Sequence, residues 1–195
     1  MAATNLIVTG DLHTGKSTLV RSVLECLSIS YLGILSMPII RGAQRVGFAL
    51  RHVGESHIDI FAHEDFQSAT HYDRYFVKDE PFQRAAEYLM ACLKCDVQLI
   101  VVDELGVMEN HIAVYLKAVK AVLDSATNSL MVVQKRAREM WHILEPRDDV
   151  IVFTVQANNH IALQREILQR LEEETKAERP IKTEIGIRYE FKGGD

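Results

Sequence analysis

Apolar residues in this chain fall into short unbroken runs, separated by stretches in which they recur every three or four positions. Leu6-Ile7-Val8 is the first run, and a polar stretch with glycines follows it to Ser17-Thr18, which predicts a buried strand that ends in a loop. Leu19, Val20, Val23, Leu24 and Leu27 then keep helical spacing, so a helix is expected from Thr18 to about Ser28. Tyr31 to Leu35 reads as a second strand. Gly42 marks a turn before the run Arg45–Arg51, and Gly54 separates that run from His57–Phe61, where polar and apolar positions alternate. A β-hairpin-like excursion fits this block. Residues 64–77 hold few aliphatic side chains and read as a long surface loop near a ligand. Pro81 suits the first turn of a helix running to about Leu93.

The second half repeats one alternation: strand Val97–Val102, helix near Ile112–Leu123, strand Leu130–Val133, helix near Arg136–Leu144, strand Val150–Val155 and a last helix, about Ile161–Glu178, stopping near Pro180. Strands that are apolar throughout, with helices between them, indicate an α/β fold with a mainly parallel central sheet covered by helices on both faces. Ile185, Ile187, Tyr189 and Phe191 alternate in the tail, which suits an extra strand over residues 181–191.

A length of 195 residues suits a single domain over 1–195. The composition, 48% hydrophobic and 25% charged, is that of a folded globular chain. Lys plus Arg is 22 and Asp plus Glu is 27, and the resulting net charge of −5 argues against a nucleic-acid partner. No stretch is long and apolar enough for a membrane span and no leader pattern opens the chain, so a cytoplasmic location is expected. Cys26, Cys92 and Cys95 read as reduced thiols; the single C-x-x-C has no second pair at zinc spacing and is expected to be structural. Protein partners are not indicated.

Gly10-Asp11-Leu12-His13-Thr14-Gly15-Lys16-Ser17 matches G-x-x-x-x-G-K-[ST] at every fixed position, between a strand and a helix. Such a loop curls so that successive backbone N–H groups face a phosphate, and the helix that follows adds its positive end. Lys16 is expected to reach the β and γ phosphates, with the Ser17 hydroxyl on Mg²⁺ and Thr18 next to it in the first turn. Leu99-Ile100-Val101-Val102-Asp103 supplies the acidic strand that such a loop needs, with Asp103 expected on the metal. Glu104 follows at the strand's carboxyl end, where it would polarise an attacking water, and Leu105-Gly106 close the segment. These residues make ATP, GTP or another nucleoside triphosphate the expected substrate and Mg²⁺ the expected cofactor.

With the blocks Arg41-Gly42-Ala43-Gln44-Arg45-Val46-Gly47-Phe48, Arg74-Tyr75-Phe76-Val77 and Val102-Asp103-Glu104-Leu105-Gly106-Val107-Met108-Glu109, the chain resembles the THEP-type, or cancer-related, nucleoside-triphosphatase family of P-loop proteins. The resemblance covers roughly residues 5–170. It implies a three-layer P-loop fold with a strand added between the phosphate and acidic motifs, and slow Mg²⁺-dependent hydrolysis of several nucleoside triphosphates with little base selectivity. It places nucleotide contacts on Gly10–Ser17 and Leu99–Gly106, and the motifs themselves make Glu104, Lys16 and Asp103 the expected catalytic residues. Ala157-Asn158-Asn159-His160 departs from the family pattern, which tends to Glu-Asn-Arg-Asp there. The alternatives are a small P-loop nucleotide or metabolite kinase, with residues 64–77 forming part of an acceptor site, and a nucleotide-dependent switch. Arg41, Arg45, Arg74, Arg136 and Arg138 are candidates for a cation on the transferring phosphoryl group, Arg41 or Arg45 slightly ahead. Gln134, at the end of its strand, is a candidate for orienting water. Lys135-Arg136-Ala137-Arg138 and Glu172-Glu173-Glu174 read as solvated helix faces.

Overall fold

The computed structural model describes residues 3–178, so the strand expected over 181–191 lies outside the described residues. The uninterrupted apolar runs become the strands β1 (Asn5–Gly10), β7 (Leu99–Leu105), β8 (Asn128–Val133) and β9 (Val150–Val155). With β2 (Tyr31–Arg41) they form the parallel part of one sheet, in the order β2-β7-β8-β1-β9. Successive side chains of β1, β7 and β8 enter opposite cores, which is why no polar alternation marks them. Leu6 and Val8 face the helices α1 (Lys16–Cys26) and α5 (His160–Glu178), whereas Ile7 faces α2 (Glu80–Cys92), α3 (Ala113–Leu123) and α4 (Arg138–Leu144). The strand β8 lies between β1 and β7, and so separates the phosphate-loop strand from the acidic strand.

The excursion is more than a hairpin. β3 (Gln44–Val53), β4 (Ile58–His63), β6 (Tyr75–Val77) and β5 (His71–Tyr72) continue the same sheet as an antiparallel wing beyond β2, giving nine strands in the order β5-β6-β4-β3-β2-β7-β8-β1-β9. The reading of residues 64–77 as a plain loop is corrected by β5 and β6: Ala62 and His63 pair with Val77 and Phe76, and Asp73 turns the short hairpin with a φ of 54°. Two- and three-residue strands leave almost no alternation in a sequence, so nothing there signalled pairing. The helix expected from Arg136 begins at Arg138.

Two local features aim the wing at the parallel half. Gly33 lies so close to β7 that a Cβ there would sit 1.9 Å from the Val101 carbonyl oxygen. Beyond Leu35, which pairs with Asp103, β2 has lost β7 and pairs with β3 alone, so Pro38 leaves no rung of a central strand unmade. From Leu35 to Ile40, the partner of Arg45, the strand runs on by about 16 Å at roughly 3.3 Å per residue. The β2–β3 hairpin therefore overhangs the carboxyl edge of the parallel strands. No helix among the described residues is long and apolar enough to cross a membrane.

Candidate active site

Ligands on an open α/β sheet collect at the carboxyl ends of the parallel strands, and both motifs end there. The phosphate loop leaves β1 at Gly10, where a Cβ would lie 2.7 Å from the Val155 carbonyl, and enters α1 through Gly15 at a φ of 83°. His13 also takes a positive φ, 61°, and it is exposed, as is Leu12. Lys16 is buried and its Nζ donates to the Asp11 carbonyl at 2.9 Å, while Thr14 Oγ1 donates to the same oxygen at 2.9 Å. Thr18 is exposed on the first turn of α1.

The Ser17 hydroxyl donates to Asp103 Oδ1 at 2.8 Å across 86 positions of sequence, so the two motifs meet. Asp103 is fully buried, and its Oδ2 has no hydrogen-bond partner. Burial pushes the Asp103 carboxyl up to about 7, and neighbouring Glu104 pushes the same way against the Ser17 bond. A buried oxygen without a partner, beside a hydroxyl, is the donor set of a hard divalent cation such as Mg²⁺, which takes the rest of its oxygens from phosphate and water.

The peptide between Asp103 and Glu104 is cis, and the β7–β8 register shifts between Val102 and Leu105. Glu104 is half-buried, and Gln134 Nε2 donates to its Oε1. Gln134 itself is fixed by its backbone: its N–H donates to the Leu105 carbonyl at 2.8 Å, and its carbonyl accepts from the Trp141 indole at 3.0 Å. Gly106 makes room for it, since a Cβ there would lie 2.8 Å from the Gln134 amide. Glu109 folds back to accept the Gly106 N–H, and its burial raises its carboxyl to about 7. Lys135 reaches the phosphate loop and pairs with Asp11 at 2.8 Å.

A cleft of about 300 Å³ joins these parts. Leu12 and His13 line it from the phosphate loop, Glu104 from β7, Gln134 and Arg136 from the β8–α4 connection, and Arg45, Phe48 and Tyr75 from the wing. A wider hollow of about 590 Å³ beside Asp59, Lys78 and Arg84 contains no residue of the phosphate loop or of the acidic strand.

Some expectations narrow. Leu99, Ile100, Val101, Val102 and Leu105 are wholly buried in the two cores, so they set the height of the acidic pair instead of lining a ligand site. Cys92 is a buried thiol, whereas Cys95 and Cys26 are exposed. Arg41 is held by Asp65 at 2.9 Å, Arg74 donates to the Arg45 carbonyl at 2.6 Å, Arg138 is exposed at the start of α4 away from the cleft lining, and Arg45 and Arg136 line the cleft. One neighbour was not read from the sequence. His160, at the start of α5, packs on the phosphate loop so closely that a Cβ on Gly15 would lie 2.7 Å from its Nε2; a separation of 145 positions carries no signal of this.

The family model described as NTPase matches residues 5–168. The chain is 32% identical over 172 residues to nucleoside-triphosphatase THEP1 of Methanopyrus kandleri, a match covering 86% of this chain and 94% of that protein. It is 28% identical over 176 residues to nucleoside-triphosphatase THEP1 of Natranaerobius thermophilus, covering 89% and 99%. Its fold resembles the crystal structure of THEP1 from the hyperthermophile Aquifex aeolicus, with a TM-score of 0.72 at 22% identity over 87% of this chain and 99% of that one. The solution structure of a human cancer-related nucleoside triphosphatase is as similar, with a TM-score of 0.72 at 20% identity over 91% of this chain and all of the other.

Proposed function

Because the chain belongs to this nucleoside-triphosphatase family, we propose that it hydrolyses nucleoside 5′-triphosphates to the diphosphate and phosphate, with Mg²⁺ and little base selectivity. The observation that carries the reading is the position of Glu104: it follows the buried Asp103–Ser17 pair, is held by Gln134 and borders the same cleft as the phosphate loop.

The backbone N–H groups of the curled loop and the start of α1 bind the phosphates. Lys16 exchanges the Asp11 carbonyl for the β and γ oxygens, so its charge is already buried at the point of use. Ser17 and Asp103 would hold Mg²⁺, which when bound neutralises phosphate charge and fixes the triphosphate. Glu104 accepts the proton of the attacking water, and the Gln134 amide fixes the carboxylate that does so. The leaving diphosphate takes the charge of the broken bond, opposite Lys16. Nothing in this chemistry touches the base.

The test is phosphate release from ATP, GTP, CTP and UTP with Mg²⁺ and no acceptor, run with Lys16→Ala and Glu104→Gln. Release from several nucleotides, lost in both variants but with nucleotide still bound by Glu104→Gln, is expected. Nucleotide binding without release by the wild-type protein would overturn hydrolysis in favour of phosphoryl transfer or a switch.

A further inference from the structure

Two sequence blocks, Arg45-Val46-Gly47-Phe48 and Arg74-Tyr75-Phe76-Val77, have no part in the chemistry above, although the fold brings them together. The carbonyl of Arg45 accepts two hydrogen bonds from the second block, from Arg74 Nη2 at 2.6 Å and from Tyr75 Oη at 3.1 Å. Arg74 Nη2 also donates to Tyr75 Oη at 3.1 Å, closing a three-membered cluster on one carbonyl. Below it, the Tyr75 ring meets Phe48 edge-on with centroids 5.2 Å apart, and Phe48 stacks on Phe61 at 6.0 Å. The guanidinium of Arg45 stands over the Phe48 ring, 5.2 Å from its centre.

The backbone of Arg45 is thus pinned and its side chain stands on an aromatic floor. Its guanidinium is exposed, has no carboxylate of the described residues within ion-pair distance, and lines the cleft that Glu104, Gln134 and the phosphate loop share. Three neighbouring arginines differ. Arg41 is tied to Asp65 and Glu64, Arg84 to Asp59, and Arg74 is spent on the Arg45 carbonyl. The overhang of the β2–β3 hairpin is what brings this cation beyond the Leu35–Asp103 pairing, onto the cleft that the phosphate loop also lines.

We infer that Arg45 is a catalytic residue, built into the wing to contact the γ-phosphoryl group as it leaves the β-phosphate, and that Arg74 and Tyr75 are its positioning residues. A guanidinium suits the task because it stays charged at every working pH and presents several donors in one plane to the equatorial oxygens. Its π contact with Phe48 preserves the cation's direction while leaving its N–H groups unspent. An arginine supplied in cis makes turnover independent of a stimulating protein, which gives the wing a role in the reaction itself. The inference rests on the hydrolase reading.

The experiment measures kcat, KM and nucleotide affinity with Mg²⁺ for wild type, Arg45→Ala, Arg45→Lys, Tyr75→Phe and Arg136→Ala. Arg45→Ala is expected to lower kcat by about 100-fold or more while nucleotide affinity changes less than about threefold, since the contact tightens only as the phosphoryl group transfers. Arg45→Lys recovers a small part of the rate. Added guanidinium ion restores turnover to Arg45→Ala and not to wild type, a response that loss of structure would not give. Tyr75→Phe, which removes one of two donors to the Arg45 carbonyl, lowers kcat several-fold with KM unchanged. The wild-type protein forms a stable complex with ADP and aluminium fluoride, and Arg45→Ala does not. A kcat for Arg45→Ala within twofold of wild type, or an equal loss in affinity and rate, overturns the inference, and a loss confined to Arg136→Ala transfers the role to that residue. Absence of release by the wild-type protein would instead overturn the hydrolase reading beneath it.

Discussion

A methyl group added at Gly106 would meet the Gln134 amide at 2.8 Å, and with the Gln134 backbone held at both its N–H and its carbonyl, it is the side chain that must swing aside. Gly106→Ala is therefore expected to push the amide off Glu104 without touching the phosphate loop. The loss of one hydrogen bond to a charged group, about 1.5 kcal/mol, corresponds to roughly a tenfold lower kcat. Nucleotide affinity should stay at the wild-type value, and steady-state kinetics with a binding titration check both. Glu109 offers a second single-residue test. Burial lifts its carboxyl from an ordinary 4.5 to about 7, so the fold favours the protonated form. That contribution is complete below about pH 4.5 and is lost as the pH rises through 7, because the unfolded chain then gives up a proton that the fold retains. Glu109→Gln keeps an oxygen for the Gly106 N–H and never ionises. Chemical unfolding should find the variant close to wild type near pH 4.5 and more stable at pH 8 by about 3 kcal/mol. An equal difference at both pH values would rule out burial of the carboxyl as its source.

At the scale of elements, the parallel half depends on how closely β2 and β7 approach. Gly33 adopts a φ of 139° and faces the Val101 backbone, so Gly33→Ala forces the two strands apart at the register that pairs Leu35 with Asp103. A loss of at least about 3 kcal/mol is expected on denaturant unfolding, in the range reserved for backbone clashes. Gly42→Ala is the comparison: its φ is also positive, 62°, but nothing lies within 4 Å of the added carbon, so only the left-handed strain of about 1 kcal/mol remains. The same contrast explains which elements could be read beforehand. β1, β7 and β8 are buried on both faces, and an unbroken apolar run is the direct consequence of that burial. The wing is held by pairings that a sequence does not display: β5 has two residues, β6 has three, and Arg74 finds the Arg45 carbonyl 29 positions away. In the site, the phosphate loop and Asp103-Glu104 were legible because their chemistry fixes residue types at fixed spacing. The bond from Gln134 to Glu104 was not, since it depends on β8 lying beside β7 and on a register shift between them.

For the molecule as a whole, the assembled site carries costs that a bound nucleotide and cation would remove. Asp103 Oδ2 is buried without a partner and Lys16 holds only a backbone carbonyl, while Lys135 ties down the outside of the same loop through Asp11. These groups come from β1, α1, β7 and the β8–α4 connection, so unfolding any of these elements disperses the site. A ligand that recognises the assembled site binds the native state alone, and it stabilises by about 2.7 kcal/mol at a concentration 100 times its Kd. The two kinds of ligand should also reinforce each other. Nucleotide would supply phosphate oxygens that complete a cation's shell, and the cation would supply the partner that the buried carboxylate lacks. Thermal unfolding is therefore expected to show a larger rise in Tm with ADP and Mg²⁺ together than the sum of the rises with either alone. Lys16→Ala should lose the response to nucleotide, and Asp103→Asn should keep a response to nucleotide but lose the added effect of Mg²⁺. Asp103→Asn should also melt no lower than wild type without ligand, since it replaces a buried unpaired carboxylate by a neutral amide that can still accept the Ser17 hydroxyl. Strictly additive shifts in Tm would mean that the cation and the nucleotide bind apart, and would remove Asp103 from the site.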